Sequence, residues 1–300
     1  MNNENETIKS IKLSVIIPVY NEENNIGQVI SDLKNELSLL NIDYEIIAIN
    51  DGSTDQSQEI LEKNEGIKLI NHPYNKGYGA ALKTGVVNAE HDWLLFFDAD
   101  GQHRAEHIKN FLNYTENYDL IVGDRTGGKY VRPTLRKPGL WLLRKIANYL
   151  VDYKIPDLNC GLRLIKKNIL MGYLHLLPNT FSLSTTSTMA FLKDKRSIKF
   201  IPIEVKKRAG LSKSTVKTRD SLTTLILIFR LIMLFSPLRI FFPVSLALFF
   251  IGLGFLAFDI ISMNISDSTT FLFVASILIF FFGLLADQIA AIRREINNRK

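Results

Sequence analysis

Residues 12–23 read KLSVIIPVYNEE, a β-branched run that breaks into a polar, acidic turn. Apolar residues at consecutive positions suit a strand covered on both faces rather than one with a solvated side. The pattern then alternates. A helical stretch runs from about Asn24 to Leu39, YEIIAIN (44–50) is a second strand, and a short helix lies near Gln56 to Lys63. GIKLI (66–70) is a third strand, a helix spans about Gly77 to Ala89, and DWLLFFDAD (92–100) is a fourth strand. Buried strands alternating with helices predict an α/β domain with a mostly parallel sheet, in which ligands bind at the carboxyl ends of the strands.

Three of those ends are acidic: Pro18-Val19-Tyr20-Asn21-Glu22-Glu23, Asp51-Gly52-Ser53 and Asp98-Ala99-Asp100-Gly101-Gln102-His103. Neither a G-x-G-x-x-G fingerprint nor a P-loop lysine motif follows the first strand, which argues against dinucleotide and P-loop nucleotide folds. Two carboxylates one residue apart at the end of a buried strand can face a single hard cation, with a nearby amide oxygen as a further donor. Mg²⁺ or Mn²⁺ suits such oxygen ligands. His72, His91, His107 and His175 show no metal-ligand spacing, whereas His103 adjoins the acidic turn. Asp51 has a plainer reading, as a cap for the helix that follows it. The lone cysteine, Cys160, can form neither an intramolecular disulfide nor a cysteine-based zinc site.

Charge divides the 300 residues unevenly. Residues 1–195 carry 22 Lys and Arg against 24 Asp and Glu, and residues 196–239 carry 10 against 2. From Ile240 to Ile292 there is no Lys or Arg, and the chain closes on the basic RREINNRK. Two apolar runs, Phe241–Met263 and Phe271–Ile292, are each about 22 residues, which at ~1.5 Å per residue cover the ~30 Å hydrocarbon layer. Both are apolar on every face, as membrane helices are. The connection between them lacks basic residues and both outer flanks are rich in them, so the turn is expected outside and both termini in the cytoplasm. The acidic, asparagine-rich N-terminus does not resemble a secretory signal. Between the domain and the first span, the apolar run Leu225–Phe235 is interrupted by Arg230 and halted by Ser236-Pro237. It is too short and too charged to span, and fits an interfacial helix with Arg219, Arg230 and Arg239 toward lipid phosphates. The expected organisation is an α/β domain at 1–215, an interfacial segment at 216–239, a two-helix anchor at 240–292 and a basic tail at 293–300. Asp259, inside the first span, is a functional candidate that could reach the outer headgroups. Gly252, Gly254 and Gly283 could let helices approach, within the chain or in a homo-oligomer. Nucleic acid is not an expected partner, because the positive charge is concentrated around the spans.

The ordered motifs P-V-Y-N-E-E (18–23), D-G-S (51–53), N-K-G-Y-G-A-A-L (75–82), D-A-D-G-Q-H (98–103), G-D-R (123–125), D-L-N-C-G-L-R (157–163) and R-A-G-L-S-K (208–213) resemble the inverting, GT-A-fold glycosyltransferase family 2. Within it they are most similar to the polyprenol-phosphate sugar transferases of the dolichol-phosphate mannose synthase type. The resemblance implies that Pro18, Tyr20, Glu22 and Asp51 hold the nucleoside, with Ser53, Lys76 and Asp98 completing the nucleotide-sugar set. It implies that Asp98, Asp100 and Gln102 surround the metal and that Arg125 lies near the reacting phosphates. Arg208, Ser212 and Lys213 fall in a juxtamembrane loop that closes over the donor diphosphate and the lipid phosphate. The pattern departs from the family at Arg104, Asp124, Cys160 and Thr180.

The chemistry implied is metal-dependent, inverting transfer of a sugar from a UDP- or GDP-linked donor to polyprenyl phosphate at the cytoplasmic face. A lipid monophosphate with a second pKa near ~6 is largely a dianion at neutral pH and needs positioning rather than a base. Arg125, one of Arg136 or Arg144, and Arg208 or Lys213 would supply charge-assisted contacts, with Asp157 orienting them. One rival is a processive polysaccharide synthase of the same superfamily, disfavoured because Q-x-x-R-W is absent and two spans are few. The other is a catalytically inactive membrane adaptor, disfavoured by the complete D-x-D-x-Q set.

Overall fold

The computed structural model describes residues 11–126, 155–206, 236–262 and 266–298, with a few isolated positions between them. The chain divides into two compact units, one holding a β-sheet and the other a C-terminal pair of helices. In the sheet, β1 (Lys12–Val19) pairs in parallel with β2 (Asp43–Asn50) along its whole length and with β4 (Trp93–Phe96) on its other side. Every residue from Leu13 to Val19 is consequently buried, as the unbroken apolar run requires. The other strands are β3 (Lys68–Asn71), β5 (Leu120–Asp124), β6 (Arg163–Lys166) and β7 (Ile198–Pro202), giving the order β3-β2-β1-β4-β6-β5-β7. Among the described residues, β6 alone runs against its neighbours, β4 and β5.

The helices of this unit are α1 (Ile26–Leu40), α2 (Ser57–Glu62), α3 (Tyr78–Asn88), α4 (His107–Leu112), α5 (Lys167–Tyr173) and α6 (Leu183–Lys193). α1 buries Ile26, Val29, Ile30, Leu33 and Leu37, one stripe at helical spacing, and ends at a left-handed Asn41 whose N–H bonds to the Ser38 carbonyl. α3 approaches the sheet at Gly85, where a Cβ would lie 2.3 Å from Ile16 Cγ2 and 2.9 Å from Ile49 Cδ1. The predicted alternation is present throughout this region. β4 is shorter than its apolar run, because its pairing with β1 and β6 stops at Phe96. Phe97 sends one more N–H to the Ile16 carbonyl, at 3.1 Å, and the chain then turns through a left-handed Gly101. Asp98 and Asp100 therefore stand on a turn and not on the strand.

The second unit contains α7 (Leu238–Ile261) and α8 (Asp267–Asn298), two helices long and apolar enough to cross a bilayer. α7 begins within the expected interfacial segment, the rest of which lies largely outside the described residues. α8 continues beyond Ile292, since RREINN contains no helix-breaking residue. Gly252 lets α7 meet Leu272 and Phe273 of α8, and Gly283 lets α8 meet Phe241, where a Cβ would sit 2.4 Å from the phenylalanine Cβ. Two of the three span glycines thus serve contacts within the pair, while Gly254 faces open space. Asp259 is engaged within the hairpin. Its Oδ2 accepts from the Ser266 N–H and hydroxyl, each at 2.9 Å, and from the Thr269 hydroxyl at 2.6 Å, tying the connection to the start of α8. Farther along, the Ser276 hydroxyl donates to the Ser245 carbonyl at 2.9 Å.

Two substitutions test these contacts. Gly85→Ala overpacks the junction of α3 with β1 and is expected to cost about 1–3 kcal/mol, read as a lower denaturation midpoint; an unchanged midpoint would refute the contact. Asp259→Leu strips three donors of their acceptor and is expected to cost about 1–3 kcal/mol. Faster proteolysis at the 262–266 connection in detergent would report it, and a parent-like digestion pattern would contradict the clasp.

Candidate active site

Because β2, β1 and β4 are adjacent and parallel, their carboxyl ends fall on one edge of the sheet, as the three acidic turns require. Pro18 is buried there. Its neighbour Ile16 directs its carbonyl to β4, so Pro18 turns its missing N–H toward a side where β4 has already ended, and no ladder bond is lost. The turns after β1 and β2 are stitched together. The Asn21 N–H donates to Ser53 Oγ at 3.1 Å, the Thr54 N–H to Asn21 Oδ1 at 2.8 Å, and the Glu22 N–H to Ser57 Oγ at 2.8 Å. Asn21 adopts the left-handed region, a conformation Asn tolerates better than most residues. Tyr20 is left 46% exposed at the rim, and Glu22 is half-buried with Oε2 accepting from Asn25.

Asp51 caps no helix. It is buried, its Oδ1 accepts from His72 Nδ1 at 2.7 Å and from the Lys76 N–H at 2.9 Å, and its Oδ2 accepts from the Gly77 N–H at 2.9 Å. His72 Nε2 lies 2.9 Å from the Thr84 hydroxyl on α3. Asp51 therefore fixes the Asn75-Lys76-Gly77 turn that launches α3, and places the exposed Lys76 beside the Tyr74 ring, 5.8 Å from its centroid. Gly52 is required where it stands: φ is +69°, and a Cβ would meet the Tyr74 backbone at 2.6 Å. In the sequence His72 shows no metal-ligand spacing, and its only signal is proximity to the N-K-G-Y-G segment.

Asp98 is half-buried. Its Oδ1 accepts from the Tyr78 hydroxyl at 2.8 Å and its Oδ2 faces His103 Nε2 at 3.3 Å. Burial works to raise the Asp98 pKa, but the His103 bond and charge, the Tyr78 bond and the field of Arg125 outweigh it, and the carboxyl sits below its ordinary range. Burial, then the Asp98 charge, push the Tyr78 phenol well up, so it remains a donor. A Cβ at Gly161 would sit 2.0 Å from Asp98 Oδ2, so the backbone of the 157–163 motif is pressed against this carboxylate. Asp100 and Gln102 are partly exposed on the following turn, with Asp100 Oδ1 accepting from the Gln102 N–H at 3.1 Å. Their oxygen donors are of the hard type that Mg²⁺ and Mn²⁺ take. Among the described residues no group of three His, Cys, Asp or Glu side chains is arranged to hold a metal unaided. His103 is buried against Phe97 and its Nδ1 has no hydrogen-bond partner among the described residues.

Beyond β4, Arg125 forks onto Asp157. Nε donates to Oδ2 at 2.6 Å and a terminal nitrogen to Oδ1 at 3.0 Å, while Asp157 also accepts from the Asn159 N–H at 3.2 Å. The contact is bidentate, and it joins two of the residues singled out in the sequence. Arg136, Arg144, Arg208, Ser212 and Lys213 lie outside the described residues. Beneath the fork, Cys160 is buried and its thiol is pushed up to about 12, chiefly by burial, so it stays protonated and inert. Arg163 went unsingled in the sequence. It is fully buried and spends its donors on the Cys160 and Ser184 carbonyls and the Ser187 and Thr188 hydroxyls.

A crystal structure of glucosyl-3-phosphoglycerate synthase from Mycobacterium tuberculosis, in complex with Mn²⁺, uridine-diphosphate-glucose and phosphoglyceric acid, shares this fold with a TM-score of 0.57. That match has 17% identity and covers 77% of this chain and 82% of that one. A dolichyl-phosphate hexose transferase of Haloferax volcanii is 27% identical over 67% of this chain and 86% of its own length. An uncharacterized glycosyltransferase of Synechocystis is 32% identical over 53% of this chain. The chain spans about half the length of some of these curated relatives, the Synechocystis protein among them. Residues 236–292 match the GtrB C-terminal hairpin. With residues 14–174 matching glycosyl transferase family 2 on a GT-A-like sheet, the chain belongs to that family and carries its catalytic domain ahead of a membrane hairpin.

Proposed function

We propose that the chain transfers a sugar from a UDP- or GDP-linked donor to polyprenyl phosphate, with inversion, at the cytoplasmic face of the membrane. The observation that carries the reading is the presence on one chain of an acidic GT-A strand edge, the Arg125–Asp157 fork and a hairpin apolar enough to span a bilayer. The dolichyl-phosphate hexose transferase of Haloferax volcanii supports the lipid-phosphate acceptor. In this reading residues 1–215 form the catalytic domain, 216–239 an interfacial segment, 240–292 the anchor and 293–300 a cytoplasmic tail. The basic flanks support both termini inside.

Tyr20 and Glu22 face the nucleoside, and Asp51 acts one step back by fixing Lys76 beside the donor. Asp100 and Gln102, with Asp98, would hold Mg²⁺ or Mn²⁺, whose chemistry there is Lewis-acid neutralisation of the departing diphosphate. Asp98 keeps lone pairs for a further ligand, since among the described residues Tyr78 bonds one of its oxygens and His103 the other. Asp157 orients the Arg125 guanidinium, which meets the acceptor phosphate and opposes its repulsion from the donor. Arg208, Ser212 and Lys213, with Arg136 or Arg144, are assigned to the same phosphate.

The test is full-length protein in detergent with Mn²⁺ or Mg²⁺ and polyprenyl phosphate, offered UDP-glucose, UDP-N-acetylglucosamine or GDP-mannose. A glycosylated lipid is the expected product, and Asp100→Ala is expected to lower its formation by about 100-fold or more. No product from any of the three would favour an inactive adaptor. Asp157→Asn weakens the fork and is expected to reduce turnover by about 10- to 100-fold, with a smaller effect on donor KM; unchanged turnover would remove Asp157 from the mechanism.

A further inference from the structure

Phe181 is 78% exposed, yet it is not loosely held. One face of its ring stacks on Tyr78, with centroids 4.9 Å apart and planes 20° from parallel. The backbone that carries it is clamped to α3. The Gly79 and Ala80 N–H groups donate to the Asn179 carbonyl at 3.0 and 3.3 Å, and Lys83 Nζ donates to Asn179 Oδ1 at 2.9 Å. The approach is so close that a Cβ at Gly79 would lie 2.3 Å from the Pro178 carbonyl oxygen, and one at Gly77 would lie 2.5 Å from that of Asn179. A large ring fixed this way leaves most of its apolar surface unburied. Packing gives no reason to present its outer face to water.

The ring stands beside the acidic edge. Tyr78, its stacking partner, donates to Asp98, so a rigid aromatic surface and a carboxylate with unused lone pairs share one short segment of the site. The nucleoside-facing residues lie at the ends of β1 and β2, Asp98 follows β4, and Phe181 meets this edge through Tyr78, whose hydroxyl reaches Asp98. A donor laid along this edge from its base outward ends in its sugar. A hexopyranose presents an apolar C–H face that packs on an aromatic ring while its hydroxyls reach neighbouring polar groups, the mixture that ligand sites use for orientation.

Building on the transferase reading, we propose that Phe181, backed by Tyr78, is the platform for the hexose of the nucleotide-sugar and a specificity-determining residue for it. Phe181 contributes nothing to the nucleotide itself. Binding of UDP-glucose against UDP, and of GDP-mannose against GDP, measured by calorimetry on the full chain with Mn²⁺, separates the two contributions. Phe181→Ala is expected to leave nucleotide affinity within twofold and thermal stability unchanged, while the preference for nucleotide-sugar over nucleotide falls about tenfold. Phe181→Trp retains that preference. An unchanged preference in Phe181→Ala would overturn the proposal. So would a rise confined to the KM for polyprenyl phosphate, which would give the ring to the acceptor's isoprenoid. Failure of the parent to bind either nucleotide or nucleotide-sugar would instead sink the transferase reading, and the platform with it.

Discussion

The acidic edge depends on how closely the 178–180 backbone lies against the start of α3. Gly77 and Gly79 permit that approach; a side chain at either would collide with main-chain carbonyls. Between them Tyr78 reaches across to Asp98, and just before them the Lys76 and Gly77 N–H groups are held by Asp51. The ends of β2 and β4 are thus referred to one short segment, and the order of the site is that of a helix N-terminus rather than of free loops. Functional side chains supported by a rigid element keep their geometry better than those on loops alone.

The charges in this region are arranged in the same spirit. Arg163 lies in the interior with carbonyls and hydroxyls as its bonded partners, and Asp98 and Asp157 act on it through space. Burial pulls its pKa down while those carboxylates raise it, and a guanidinium remains charged under either influence. Its bonds to the Cys160 and Ser184 carbonyls join the 157–163 loop to α6. Arg125 is neutralised directly by Asp157. The buried cation is thus held by dipoles, with carboxylates acting on it from a distance, while the one nearer the surface is paired directly.

The sheet was legible in the sequence because burial on both faces leaves a signature in the side chains themselves: β1, β2 and β4 are continuous apolar runs. Its acidic turns were legible because chemistry concentrated at strand ends is local. What could not be read was contact between distant segments. Nothing near His72 announces Asp51 as its partner, and nothing in F-S-L-S-T-T says that Phe181 stacks on Tyr78, a hundred residues earlier in the chain. The glycines at 77, 79 and 161 were visible as letters, but their reason, a carbonyl or carboxylate in the space of a Cβ, is a tertiary fact. The partners of Asp259 were hidden for a related cause: its depth in the span was plain, whereas its bonds to 266 and 269 depend on how the hairpin closes.

The hairpin completes the argument from the side of the acceptor. Each buried CH₂ of an acyl or isoprenoid chain contributes about 0.8 kcal/mol to membrane retention, so a polyprenyl tail does not leave the bilayer to visit a soluble active site. A single amphipathic contact would hold an enzyme there only reversibly. Two spans instead clasp each other, through Asp259 at the turn and Ser276 farther along. Most of their apolar surface stays free of protein contact, which a bilayer covers and water would not tolerate. For the proposed reaction, a membrane anchor turns the search for a lipid phosphate into diffusion in two dimensions, and leaves the soluble nucleotide-sugar as the substrate that must come to the edge of the sheet.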